Sequence, residues 1–365
     1  MAKIKEIANA LEMFAPLPLQ DGYDNAGLQV GLTDAEVTGV LLCLDVTEDV
    51  IREAVTSGCN LIVSHHPLIF NPIKKITGQN YVERCIIAAL RNDISIYSAH
   101  TNLDNAQNGV NYRIAEKLGL KNIRILQPKE NALLKLAVYT PLSHAAVVRE
   151  ALFAAGCGNI GNYDCCSYNV EGVGTFRAGE HANPFCGETG KLHNETEVRM
   201  ETILPAYKKN SVISALLKAH PYEEPAYDVY PLQNSWATAG TGVIGDIEEE
   251  ADEMEFLKTI KNKFGAKSLR YTTLRGRKIK KVALCGGAGA SFARTALAAG
   301  ADIYLTGEAR YHELFDNNEK MITAVIGHFE SEQYTTEIFE EIIRDKFPNI
   351  DVKHTTINTN PINYL

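Results

Sequence analysis

Histidines and carboxylates gather at a few points of this 365-residue chain where metal chemistry is possible. His65-His66-Pro67 follows the apolar run Leu61 to Ser64. His100-Thr101-Asn102-Leu103-Asp104 follows Ile94 to Ser98, and His328 with Glu332 follows Ile322 to Ile326. Pro67 cannot continue a helix and biases His66 towards an extended backbone. His328 and Glu332 are four residues apart, so on a helix they share a face and can hold one ion or bridge two. Adjacent residues in a strand point to opposite faces, so His65 and His66 cannot serve one ion unless the strand has ended. Two neighbouring ions remove that difficulty. The ligand set read from these placements is His65, His66, Asp104, His328 and Glu332. Three imidazoles with two carboxylates suit two divalent ions of the Zn, Fe, Mn or Co kind, and without a thiolate or a closed four-ligand spacing the site is open. An open two-metal site is a catalytic arrangement, because it lowers the pKa of a bound water and clamps a phosphate or carbonyl oxygen.

A lone histidine at a strand end is more often a hydrogen-bonded surface residue than a ligand; the joint placement at equivalent strand ends is what carries the reading. His100 is the weaker member and is expected to orient a ligand. Asp24-Asn25 and Asp45 could line the same crevice, although Asp45 equally suits a turn.

The elements that must position these residues show an internal repeat. Val40 to His66 and Val282 to Glu308 both read strand, helix, strand in one register, and 15 residues separate Cys43 from Gly58 and Cys285 from Gly300 alike. Thr47 is a candidate helix N-cap in the first copy and Ser291 opens the helix in the second. Near-continuous apolar strands joined by helices are the mark of parallel βαβ units, and ligands bind outside the carboxyl ends of such strands. A helix starting at His328 is expected to carry Ile338, Phe339 and Ile342 on one face. Between the copies, Leu134 to Tyr139, Ser143 to Ala155, Tyr168 to Arg177, Glu195 to Ile203 and Lys209 to His220 alternate between strand and helix in the order of a ferredoxin-like domain. The Gly179 to Asn194 loop within it is too long and polar to be buried, hence mobile or functional. The expected fold is α/β: two similar βαβ-containing halves, 1–127 and 235–365, form one metal-binding core interrupted by an inserted α+β domain, 128–234.

Several classes are disfavoured. A net charge of −9 argues against nucleic-acid binding, and the basic run Arg275 to Lys281 reads as a solvated strand entrance. No apolar run approaches the length of a membrane span, and the eight cysteines form no CxxC pair, so the expected location is cytoplasmic. Gly286-Gly287-Ala288-Gly289 lacks the spacing of a dinucleotide fingerprint, and Gly187-Glu188-Thr189-Gly190-Lys191 lacks the first glycine and the final hydroxyl of a P-loop.

Tyr23 to Gly31, Ser64 to Pro67, Thr101 to Asp104, Gly307 to Glu313 and Gly327 to Glu332 resemble, in order, the motifs of the NIF-three family (NGG-one-interacting factor three). Its bacterial members are called GTP cyclohydrolase I type 2 homologues. The resemblance covers about Ile4 to Gln127 and Ser235 to Leu365. It implies a dinuclear metal site from residues matching His65, His66, Asp104, His328 and Glu332, inside a ring-shaped homohexamer built as a trimer of dimers. The segment ending His220-Pro221-Tyr222-Glu223-Glu224-Pro225 resembles the PII/CutA-like insert of longer members. Tyr23 and Glu308 stand where many members carry Trp and Asp, and neither change touches the proposed ligands.

The expected function is a metal-dependent hydrolase acting on a nucleotide or phosphorylated small molecule through an activated water. Opening the purine ring of GTP would need attack on C8 and a nearby proton donor, for which His100 or Glu330 is offered. The alternative is a non-enzymatic metal-binding regulatory or scaffold ring with an effector-sensing PII-like insert.

Overall fold

The structure is a computed structural model describing residues 2–365. The chain forms two compact units. One runs to Pro128 and resumes over Thr238–Leu365, and the other is Lys129–Ala237.

The strands up to the second unit are β1 Gly27–Val30, β2 Val40–Cys43, β3 Leu61–Ser64, β4 Ser95–Ser98 and β5 Lys121–Lys129. The second unit holds β6 Leu133–Pro141, β7 Ser167–Arg177, β8 Leu192–Pro205 and β9 Tyr227–Pro231. After it come β10 Trp236–Asp252, β11 Arg270–Tyr271, β12 Lys278–Cys285, β13 Ile303–Thr306, β14 Ile322–Val325 and β15 Val352–His354.

In the first unit β2, β3 and β4 are parallel neighbours, as are β12, β13 and β14. Each set carries an antiparallel strand on its third member, β1 on β4 and β11 on β14. Strands β2, β3, β4, β13 and β14 are buried at every position. That explains their mostly apolar sequences, broken only by small hydroxyl residues such as Ser64, Ser98 and Thr306, since each buried Val, Leu or Ile contributes about 1.5–3 kcal/mol and a strand covered on both faces has no polar side to fill. Thr47 caps its helix by accepting from the Val50 N–H at 3.3 Å.

The two sheets exchange edge strands. The order is β1-β4-β3-β2-β15 in one and β11-β14-β13-β12-β10-β5 in the other. β15, far along the sequence, thus pairs with β2 in the register Val352 to Val40, while β5 joins the sheet of β12. Sequence boundaries at 127 and 235 do not reveal this, because an edge strand goes to whichever sheet leaves hydrogen-bonding groups open.

Two local expectations need correction. The helix from His328 is broken into His328–Glu332 and Thr335–Lys346, and Ile343, not Ile342, joins Ile338 and Phe339 on the buried face. The Arg275 side chain is only 7% exposed; it lies between Glu253 and Asp302 and donates to the Lys320 carbonyl, so the basic run begins with a buried ion pair rather than a solvated charge.

The second unit runs β6, helix Ala145–Ala154, β7, β8, helix Lys209–Ala219, β9. Its antiparallel sheet has the order β7-β8-β6-β9. The helices bury Val148, Leu152, Val212 and Leu216 against Leu136, Val138, Met200 and Leu204.

Candidate metal centre

The parallel strands of the first unit end at one cluster of side chains. β3 stops at Ser64, so His65 and His66 lie beyond the pleat and escape its alternation. Asp104 ends the single turn Thr101–Asp104 that follows β4, and His328 and Glu332 stand on the short helix after β14. The ring of His66 is 5.0 Å from those of both His65 and His328, and 5.6 Å from that of His100.

Two groups of potential ligands share one carboxylate. His66, His328 and Glu332 form one, and His65, Asp104 and Glu332 the other. The distances from Glu332 Oε2 are 3.0 Å to His66 Nε2, 3.1 Å to His328 Nε2 and 3.7 Å to His65 Nε2. His65 Nε2 is also 3.7 Å from Asp104 Oδ1. His65 and His66 are thus divided between the two groups that meet at Glu332, while a third group brings both together with His100.

The outer face of each imidazole fixes its inner face. His65 Nδ1 donates to the Ala99 carbonyl at 2.9 Å, and a carbonyl can only accept. Nδ1 of His66, His100 and His328 meets Asp45 at 2.7 Å, Asp24 at 2.7 Å and Glu308 at 3.0 Å. With the proton held on Nδ1, the neutral ring presents a bare Nε2 lone pair, which is how metal-binding histidines are oriented. Without a cation, the result is strained. His66 and His328 bring their Nε2 atoms within 3.2 Å, and His65 Nε2 is fully buried with no hydrogen-bond partner. A separation of 3.7 Å is too long for a hydrogen bond, yet close to that between two ligands of one ion bound at about 2.0–2.2 Å. The donor set and the orphaned nitrogen fit divalent metal.

Electrostatics express the same demand as protons. Burial lowers the His66 pKa, but its hydrogen bonds to the Asp45 and Glu332 carboxylates outweigh it and raise it to about 10. His328, similarly held by Glu332 against burial, rises to about 9. Burial, joined by the Glu332 charge, pushes Asp104 well above the carboxylate range. Glu332 stays well below it, because the surrounding imidazoles overcome its own burial.

The glycine run after β12 packs against this cluster. Gly287 has φ +56°, and a Cβ there would sit 2.3 Å from Glu332 Oε1, so only glycine lets the backbone approach. The N–H groups of Gly286, Gly287 and Gly289 donate to Asn111, Ser331 and Thr306. They are thereby used in packing rather than turned to an anion.

His100 is placed differently from expectation. It does not orient another ligand; Asp24 holds it, and its ring lies edge-on to His65 at 5.3 Å, so it faces the cluster as a further imidazole. Glu330 is buried with its carboxylate folded over Gly327 and accepting from Asn360 at 3.3 Å. The structure does not bring it into the shared carboxylate cluster. Asp45 is no simple turn residue, since it holds His66 and accepts from Thr359 at 2.7 Å. The role of Glu308 is not evident from sequence; its place two residues beyond β13, at the position matching His66 in the repeat, is the signal that could have found it. Asp45→Asn is expected to weaken metal binding about 10- to 100-fold, the usual loss when a histidine's carboxylate partner is removed, while thermal unfolding stays cooperative. Competition with a chelating dye measures it.

Comparison with known proteins agrees over the full length. The family model Duf34/NIF3 (NGG1p interacting factor 3) matches residues 2–361. A Halalkalibacterium halodurans protein named GTP cyclohydrolase 1 type 2 homolog is 39% identical, with 100% of each chain covered. A Bacillus subtilis protein of the same name is 37% identical, covering 99% of this chain and 98% of that one. Among solved structures, a Bacillus cereus protein related to NIF3 superposes with a TM-score of 0.85 at 38% identity, covering 100% of this chain and 99% of its own. A Staphylococcus aureus protein does so with 0.79 at 30% identity, again covering 100% and 99%. With a mixed α/β fold shared with these structures, and a family model spanning nearly every residue, the chain belongs to the Duf34/NIF3 family.

Proposed function

We propose that this protein is a dinuclear metal-dependent hydrolase acting on a nucleotide or a phosphorylated small molecule. The observation that carries the reading is the pair of ligand groups joined at Glu332, with His65 and Asp104 on one side and His66 and His328 on the other. Bound there, divalent ions of the Zn, Fe, Mn or Co kind supply Lewis acidity and a water of lowered pKa. The chain's own residues do the rest. Glu332, 4% exposed, holds the two ligand groups together, whereas His328 is 31% exposed and borders open space. A cavity of about 500 Å³ reaches His328 and is lined by Arg270, Arg310, Glu308 and Tyr364. That size suits a small metabolite, and two guanidinium groups suit its phosphate. His100, held at Nδ1 by Asp24, offers Nε2 to move a proton at the reacting centre. The relatives named as GTP cyclohydrolase homologues make GTP the first substrate to test.

The same reading takes Lys129–Ala237 as a PII/CutA-like insert between two similar halves. Its βαββαβ order, with the fourth strand beside the first and the third between first and second, supports this. It further takes the protein as a cytoplasmic homohexamer, a trimer of dimers. Among the described residues no helix is long and apolar enough to cross a membrane. The test is a hydrolysis screen of metal-loaded protein against GTP, other nucleotides and phosphorylated metabolites. Turnover that disappears with chelation and returns with metal is expected. A metal-filled central cluster without turnover would overturn the hydrolase in favour of a regulatory ring.

A further inference from the structure

The long polar loop between β7 and β8 is not absorbed by the central cluster, and it is not free-hanging. It folds back so that Cys186 meets β8. On that strand His193, Glu195 and Glu197 alternate, which puts all three on one face of the sheet. Opposite them on β7 stand Phe176, Gly174 and Gly172. The two glycines thus leave the carboxylates uncovered, and a Cβ on Gly174 would lie 2.1 Å from Glu197 Oε2. The turn after Cys186 depends on Gly187, whose φ is +80° and whose Cβ would stand 2.9 Å from the His193 side chain. Close approach of the loop to His193 is therefore built into the backbone.

The ligand atoms of Cys186, His193 and Glu195 lie within 4.8 Å of one another. His193 Nε2 is 2.9 Å from Glu195 Oε2, and Cys186 Sγ is 3.7 Å from the hydroxyl of Tyr222, which donates to Glu197 at 3.0 Å. Phe176 walls the other side of His193, ring centroids 5.3 Å apart. A thiol, an imidazole and a carboxylate half-buried around one point, with further carboxylate and phenol oxygens at its rim, match the three-ligand sites that leave one tetrahedral position open.

We infer that the second unit carries its own divalent metal site, formed by Cys186, His193 and Glu195 and selective for thiophilic ions of the Zn²⁺ class. It is chemically distinct from the centre at Glu332, whose ligand atoms are all nitrogen and oxygen. Binding displaces the thiol proton, and the thiolate gives the site its preference for zinc over magnesium or calcium.

Cobalt(II) titration of the full-length protein under reducing, anaerobic conditions tests it, because a cobalt–thiolate bond gives a near-ultraviolet charge-transfer band that nitrogen and oxygen ligands do not. The wild type and Glu332→Gln are both expected to show the band. Cys186→Ser should abolish it while leaving metal at the central site. His193→Gln, which keeps the thiol, should weaken cobalt binding more than about tenfold, the least that is lost even with a residue that only orients a ligand. Absence of the band in the wild type would overturn the site. So would its persistence in Cys186→Ser, which would assign it to another thiol, or wild-type affinity in His193→Gln, which would mean a cysteine binding cobalt unaided.

Discussion

Glu332→Gln is expected to remove metal from both halves of the central cluster at once, leaving no more divalent ion than the second unit itself holds, and to abolish any hydrolysis. Glu332 is the only member common to the His66–His328 group and the His65–Asp104 group. An amide of the same shape retains one acceptor oxygen but loses the charge that offsets two cations. Removing a partner that merely orients a ligand costs about 10- to 100-fold in affinity, so losing a ligand that serves both ions should exceed that range. The fold should survive. Gln has the same shape beside Gly287 and keeps an acceptor oxygen for His66 and His328, so the substitution opens no cavity. Elemental analysis of protein purified without chelators, beside a thermal melt, measures both. An unchanged metal content would show that the convergence on Glu332 has nothing to do with metal.

Metal affinity should also fall steeply with acid. Starting from an ordinary value of 6.5, His66 is raised to about 10 and His328 to about 9 in the metal-free protein, so both carry an extra proton at neutral pH. A metal needs their bare nitrogens, so both protons must leave on binding. Each displaced proton makes apparent affinity change tenfold per pH unit, hence about 100-fold per unit between pH 7 and 8.5. The sign for stability is opposite in the metal-free state. Groups with raised pKa stabilise the fold fully below 6.5 and lose that contribution as pH climbs through 9 and 10. Chelator-treated protein should therefore melt at progressively lower temperature from about pH 6.5 to 10. Over the same interval the stabilisation gained by adding metal should grow. Calorimetry in buffers of different ionisation enthalpy would count the protons; release of none at pH 7 would contradict the placement of Asp45 and Glu332 around His66.

The sequence by itself determined the strands and the residues at their ends. A short, mostly apolar strand followed by His65-His66-Pro67, or by His100 and Asp104, is a local pattern: burial on both faces demands the strand, and its end frees the residues that follow. The i,i+4 relation of His328 and Glu332 follows from helical geometry alone, and the repeat of Val40 to His66 in Val282 to Glu308 is visible in the shared pattern and in the matched spacing of Cys43 to Gly58 and Cys285 to Gly300. Tertiary structure decided what none of these patterns contains. That Glu332 meets His66 across 266 positions of chain, that Asp45 and Glu308 fix the two imidazoles from outside, and that β15 closes the sheet of β2 are contacts between distant segments. Helical and strand periodicities report only which way a side chain faces within its own element. Which carboxylate it meets depends on how two sheets pack and exchange edges, and that is set by the summed burial of the whole core.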